Sequence, residues 1–154
     1  MNAGVPQVGA SAPDFTTRNQ HGQQVTLSGL QGAPVVLVFY PWAFSGICTT
    51  ELCALRDDLA RFEAFDARVL GLSCDPMFTL RAYADAERLT FDLLSDHWPH
   101  GEIAQRYGVF DDDAGVARRG SFVLDETGTI TWRVLNGIGE ARSIAEHLRA
   151  LSVA

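Results

Sequence analysis

The stretch Ala33–Tyr40, APVVLVFY, decides the fold class. It is apolar throughout, rich in valine, and shows no polar alternation. A strand of that kind must be covered on both faces, which places it at the centre of an α/β sheet. Working outward, Glu51–Phe65 (ELCALRDDLARFEAF) repeats Leu52, Leu55, Leu59 and Phe62 at helical spacing and reads as an amphipathic helix. Arg68–Asp75 (RVLGLSCD) is a second buried strand, stopped by Pro76. Residues 78–88 read as a polar helix, 91–101 as mostly irregular, and 102–108 as a short helix ending at Gly108. Ser121–Asp125, a turn at 126–128 and Thr129–Leu135 form a hairpin. Residues 140–151 close the chain with a helix carrying Ile144, Leu148 and Leu151 on one side. Upstream, residues 1–14 are broken by Pro6, Gly9 and Pro13 and read as irregular, and Gln24–Leu27 follows a turn at His21–Gly22 as half of a short hairpin.

The resulting order, β, α, β, α, a β-hairpin and α, is that of a thioredoxin fold with an N-terminal extension, a central mixed sheet flanked by helices. The 154 residues, without repeats or linkers, suit one domain over 1–154. Twelve basic against nineteen acidic residues give a net charge of −7, which argues against nucleic acid and against an anionic membrane surface as partners. All the basic residues are arginine, so lysine Schiff-base chemistry and a Walker-type phosphate loop are excluded. The N-terminal segment has no basic residue before Arg18 and no apolar block, and Ala33–Phe44 is too short to span a bilayer, so a cytoplasmic location is expected. Three cysteines, an odd and small number, do not make a disulfide scaffold; in a reducing compartment they are either inert core or reactive.

Chemistry concentrates in Phe39–Cys53, FYPWAFSGICTTELC, at the carboxyl end of the central strand, where α/β folds expose their sites. Ser45 reads as an N-cap, which puts Cys48 in the first helical turn against unpaired N–H groups and the positive end of the dipole. That setting favours a thiolate. The Ser45 hydroxyl is positioned to donate to the sulfur or to an oxygen approaching it, and Pro41 stiffens the loop. A lone cysteine is commonly a small core hydrophobe, but this setting favours a reactive one.

Pro41–Cys48, PWAFSGIC, resembles the peroxiredoxin active-site pattern P-x-x-x-[T/S]-x-x-C. Arg119–Asp125, RGSFVLD, resembles the family's arginine before a Gly-Ser/Thr-Phe strand, and the similarity runs from APDF at 12–15 to the last helix. Leu93–Gly101 (LLSDHWPHG) and Tyr107–Phe110 (YGVF) are most similar to the alkyl hydroperoxide reductase E type. The resemblance implies a thiol-dependent peroxidase acting on hydrogen peroxide and organic hydroperoxides, without cofactor or metal. In it Cys48 is the peroxidatic nucleophile that becomes a sulfenic acid. Arg119 stabilises the thiolate and the leaving oxygen, Ser45 orients the peroxide, and Pro41 shields the pocket. Glu51 either holds the arginine or is simply a carboxylate favoured by the helix dipole. A homodimer is implied as well. Arg118 points to the opposite strand face from Arg119 and is expected to be a solvated surface charge.

Cys48–Cys53, CTTELC, instead resembles the peroxiredoxin Q (bacterioferritin comigratory protein) type, which implies that Cys53 resolves Cys48 in an intramolecular disulfide. Residues five apart in an intact helix have Cα atoms about 8–9 Å apart. The limit for a disulfide is about 7 Å, so the first turns must unwind, which Thr49 and Thr50 make easier. The alternatives are a buried, inert Cys53 with direct recycling of Cys48 by an external thiol, or a redox sensor or holdase without turnover. The reductant would be thioredoxin, a glutaredoxin-like protein or a low-molecular-weight thiol. A thiol–disulfide oxidoreductase would want C-x-x-C, which is missing. Cys74 is expected in the core. His97 and His100, beside Asp96, lack metal-ligand spacing. His21 and His147 are expected to be solvated, and Asp111–Asp113 to be an exposed loop. Asp75–Pro76 reads as a strand stop. Trp42, Phe44 and Trp98 are left as core, a peroxide-facing wall or a dimer face.

Overall fold

The structure, a computed structural model, describes residues 3–153. An N-terminal hairpin pairs β1 (Thr16–Arg18) with β2 (Gln24–Thr26) and leads through a 3-10 turn, Leu27–Leu30, into the central strand β3 (Val35–Phe39). Helices α1 (Gly46–Asp57) and α2 (Leu59–Glu63) follow, then β4 (Arg68–Ser73), α3 (Met77–Glu87), β5 (Asp92–Ser95) and α4 (Glu102–Arg106). A two-residue hairpin, β6 (Phe110–Asp111) and β7 (Val116–Ala117), precedes the long hairpin β8 (Arg119–Leu124) and β9 (Ile130–Asn136), and α5 (Ile144–Ser152) ends the fold.

The sheet order is β5-β4-β3-β8-β9, with β3, β4 and β5 parallel and β8 and β9 antiparallel to their neighbours. Around β3 this is the arrangement of a thioredoxin fold. The unbroken apolar character of β3 has the expected cause, because its side chains serve two cores. Val35, Leu37 and Phe39 pack with Phe15, Tyr107 and Phe122 under the N-terminal hairpin and α4. Val36, Val38 and Tyr40 pack with Leu52, Leu55, Leu80, Tyr83 and Leu151 from α1, α3 and α5. Gly108, at φ +68, ends the α4 region, and a Cβ there would lie 2.7 Å from the Ala3 carbonyl oxygen.

Three readings of the sequence need correction. The single helix over 51–65 starts earlier, at Gly46, and breaks at Asp58, where φ −101 and ψ 8 leave helical geometry. The segment 91–101, read as mostly irregular, contains β5. Only Leu93 and Leu94 are apolar in that strand, so its extended form depends on pairing with Leu70–Ser73 and on Gln20, whose side chain bonds the Leu93 N–H and the Phe91 carbonyl. The last helix begins at Ile144 rather than 140, where Ser143 caps it by accepting the Glu146 N–H. The acidic run is the tip of the β6–β7 hairpin, with Asp112 and Asp113 exposed and the Asp111 carboxylate taking the N–H groups of Asp113 and Ala114.

Phe122 is 1% exposed and meets Phe39 edge-on at 6.1 Å and Tyr107 at 5.1 Å. Its replacement by alanine is expected to cost about 3–5 kcal/mol, read as a lower denaturant midpoint with an unchanged m-value.

Candidate active site

The register of the sheet brings together residues seventy positions apart. β8 runs antiparallel to β3 with Ser121 opposite Val38, so the start of β8 lies beside the end of β3, where the loop to α1 departs. Arg119, the first residue of β8, is 2% exposed. Its Nη1 donates to the Cys48 sulfur at 3.2 Å and to Glu51 Oε1 at 2.6 Å, and its Nε donates to the Ile138 carbonyl at 2.6 Å. Cys48 is fully buried in the first turn of α1, and Glu51 lies one turn further on the same face, also buried.

Glu51 has a second guanidinium that sequence reasoning missed. Arg142 donates its Nη2 to Oε1 at 2.9 Å, and its Nε and backbone N–H to Oε2 at 2.9 and 2.6 Å. Its Nη1 reaches the Gly120 carbonyl and the Ser121 hydroxyl. The helical reading of 140–151 includes Arg142 and gives no sign of this role. The two glycines of Gly137–Gly139, just upstream, were the available sign of irregular backbone there. Burial raises the Glu51 carboxyl, but the hydrogen bonds and charge of Arg142, followed by the charge of Arg119, outweigh it and hold the group below its ordinary value.

The loop over the sulfur is fixed from below. Pro41 is buried. The Ala43 N–H donates to the Asp75 carboxylate, which also takes the Ser73 hydroxyl proton at 2.7 Å, so Asp75, two residues past β4, anchors the loop. Phe44 adopts φ 69, unusual for a bulky residue, and its ring lies 4.9 Å from that of Tyr83. Tyr83 shares a 3.0 Å hydrogen bond with the Thr49 hydroxyl, tying the first turn of α1 to α3. Ser45 occupies the N-cap position but makes no capping bond. Its Oγ is buried without a hydrogen-bond partner.

Cys53 is half-buried, with its thiol donating to Glu87 Oε2 at 3.6 Å. Burial and the Glu87 carboxylate push this thiol up, with Arg56 pulling the other way. Cys74 is buried and pushed up to about 12 by desolvation, as suits a core thiol. Arg118 is not a solvated charge. It is half-buried and donates to the Gly108 carbonyl at 2.8 Å, because the β8 start packs against the turn after α4. His147 is also not solvated: it is fully buried against Trp132, with Nδ1 2.8 Å from the Ser143 carbonyl oxygen. The charged residues of α5 occupy its other face. His21, His97 and His100 are exposed, and no group of three metal-ligating side chains occurs among the described residues. Trp42, Phe44 and Trp98 are exposed, at 42%, 54% and 85%, so none is core.

The AhpC/TSA family model matches residues 8–133. Alkyl hydroperoxide reductase E of Mycobacterium tuberculosis is 51% identical over 136 residues, covering 88% of this chain and 89% of that protein. Peroxiredoxin-2 of Mus musculus is 37% identical over 159 residues, covering 97% and 79%. Among solved structures, AhpC of Enterococcus faecalis superposes with a TM-score of 0.88 at 28% identity, over 99% of this chain and 92% of that one. Peroxidoxin BcpB of Mycobacterium tuberculosis superposes with a TM-score of 0.84 at 30% identity, over 95% and 96%. The chain belongs to the AhpC/TSA family, the peroxiredoxins, whose activity is thiol-dependent peroxide reduction.

The buried titratable groups set an acid limit on stability. Burial lowers His147 to about 4 from 6.5, so between those values the unfolded chain binds a proton that the folded chain refuses, and stability falls as pH drops. Glu51 acts in the same direction at lower pH: its contribution is present above about 4.5 and is lost as pH falls through its depressed folded value. Asp96, pushed up by burial to about 6 from 3.8, opposes both across pH 6 to 4. A His147→Gln variant is expected to be less stable at pH 7, from lost packing on Trp132, but to lose less stability between pH 6.5 and 4.5. Urea unfolding at several pH values measures this, and a slope equal to that of the parent protein would assign the acid sensitivity elsewhere.

Proposed function

We propose that Cys48 is the peroxidatic nucleophile and that Arg119, Ser45 and Pro41 shape its reaction with hydrogen peroxide or an organic hydroperoxide. The observation that carries this reading is the 3.2 Å contact between the Arg119 guanidinium and the Cys48 sulfur inside a fully buried site. Charge balance supports it. Arg119, Arg142 and Glu51 leave one positive charge uncompensated in the interior, and an anionic sulfur neutralises it. The sulfur attacks the distal oxygen of ROOH in line, the O–O bond breaks, and Cys48 becomes a sulfenic acid while RO⁻ takes a proton and leaves as alcohol or water. The Arg119 N–H groups face the charge that grows during that step. The unpartnered Ser45 hydroxyl supplies a donor for the peroxide, and buried Pro41 keeps water from the pocket.

Cys53 is read as the resolving thiol. The first turn of α1 carries the two threonines and is held by the Thr49–Tyr83 bond, whereas Leu52 and Leu55 are fully buried and Arg56 Nη1 donates to the Glu87 carbonyl at 2.6 Å. Melting the first turn therefore moves Cys48 toward a Cys53 that keeps its place. A thiol such as thioredoxin, a glutaredoxin-like protein or a small thiol then reduces the disulfide. The exposed Trp42, Phe44 and Ile47 rim the active-site loop and offer an apolar surface for a homodimer.

Tryptophan fluorescence in stopped flow with hydrogen peroxide tests the first step. Cys48→Ser is expected to abolish the signal, and Arg119→Ala to slow it by about 10²–10³-fold; a rate in Arg119→Ala within a factor of a few of the parent would sink the assignment. Intact mass after one equivalent of peroxide tests the second step. The parent chain is expected to lose two hydrogens, and Cys53→Ser to gain one oxygen instead. Sulfenic or sulfinic products alone in the parent chain would point to one-cysteine recycling.

A further inference from the structure

We propose that Glu87 accepts the proton of Cys53 in the resolving step, an inference that rests on the reading of Cys53 as the resolving thiol. Glu87 is the last residue of α3, and its Oε2 takes the Cys53 S–H at 3.6 Å, a normal separation for a thiol donor. Arg56, Asp57 and Tyr83 are the other charged or titratable groups that act on Cys53. The arrangement matters because only a thiolate attacks a sulfenic acid, and Cys53 sits where burial and a neighbouring carboxylate hold it as a thiol. A carboxylate already hydrogen-bonded to the thiol removes that difficulty by taking the proton as the sulfur attacks.

The step balances without an added oxidant or reductant. The Cys53 S–H bond breaks and its proton passes to the Glu87 carboxylate. The freed electron pair forms the bond to the Cys48 sulfur, the S–O bond of the sulfenic acid breaks, and the departing hydroxide takes a proton and leaves as water. Glu87 returns to its anionic form. Two features keep the pair together while the first turn of α1 opens. Arg56 Nη1 donates to the Glu87 backbone carbonyl at 2.6 Å, locking that part of α1 to the end of α3, and Leu52 and Leu55 anchor the same segment in the core. The Arg56 charge also favours the thiolate as it forms.

Glu87→Gln keeps the size of the side chain and removes the base. Stopped-flow fluorescence follows two phases after peroxide addition, and acid-quenched samples analysed by mass assign the second to disulfide formation. The first phase is expected to be the same in both proteins, which reports an intact site. The second is expected to be slower in Glu87→Gln by about 10²-fold at pH 7 and to rise about tenfold per pH unit, against a shallow dependence in the parent. Glu87→Asp, which keeps a carboxylate on a shorter arm, is expected to recover part of the loss. A second phase in Glu87→Gln as fast as the parent's, or faster, with the same pH slope, overturns the role of Glu87 alone. A parent chain that forms no Cys48–Cys53 disulfide overturns the reading of Cys53, and this inference with it.

Discussion

A carboxylate clamped between two guanidiniums, all three buried, holds this site together. Glu51 comes from α1, Arg119 from the first position of β8, and Arg142 from the segment that leads into α5. Ions of this kind are costly to bury singly, and breaking such a cluster by removing one partner typically costs about 3–5 kcal/mol. The cluster therefore ties three elements of different sequence origin into one geometry. That geometry leaves a guanidinium N–H pointing at the Cys48 sulfur. The carboxylate is doubly engaged, so Arg119 is positioned before any substrate arrives.

The sheet supplies the frame on which the clamp is assembled. β3 ends where β8 begins, and Gly120 allows β8 to lie close against Val109, where a Cβ would come within 2.8 Å of its Cγ1. Below the loop, Asp75, just past β4, holds the Ala43 N–H. The two parallel strands thus fix the loop from the side of α3 while the antiparallel hairpin fixes the arginine from the other. The helix that carries the sulfur is trapped between them.

Against this rigid setting, the first turn of α1 is held by few bonds. Phe44 is kept at positive φ with its ring on Tyr83, Ser45 leaves the helix uncapped by its side chain, and Thr49 reaches Tyr83 through one hydroxyl bond. Residues from Glu51 onward are anchored by buried leucines and by the ionic cluster. On the proposed reading, the helix opens at this start so that Cys53 reaches Cys48, while the residues from Glu51 onward keep the arginine in position.

Much of the architecture was legible in local sequence, since the buried strand, the amphipathic period and the turn residues are short-range signals. Two motifs also singled out Cys48, Ser45, Pro41 and Arg119 by type and spacing. The weak strand β5 was not legible, because its extended form comes from β4 and Gln20 rather than from its own residues. His147 and Arg118 look like surface groups by composition, and burial depends on what packs against them. The contacts of Arg142 and Glu87 exist only when the chain is folded, since each lies more than thirty residues from the group it touches. The sequence by itself singled out Cys48 as the candidate nucleophile and determined the class of scaffold around it. The tertiary structure alone decided which charges surround that sulfur, because Coulomb and hydrogen-bond partners are chosen by distance in space, and residue order along the chain does not encode that distance.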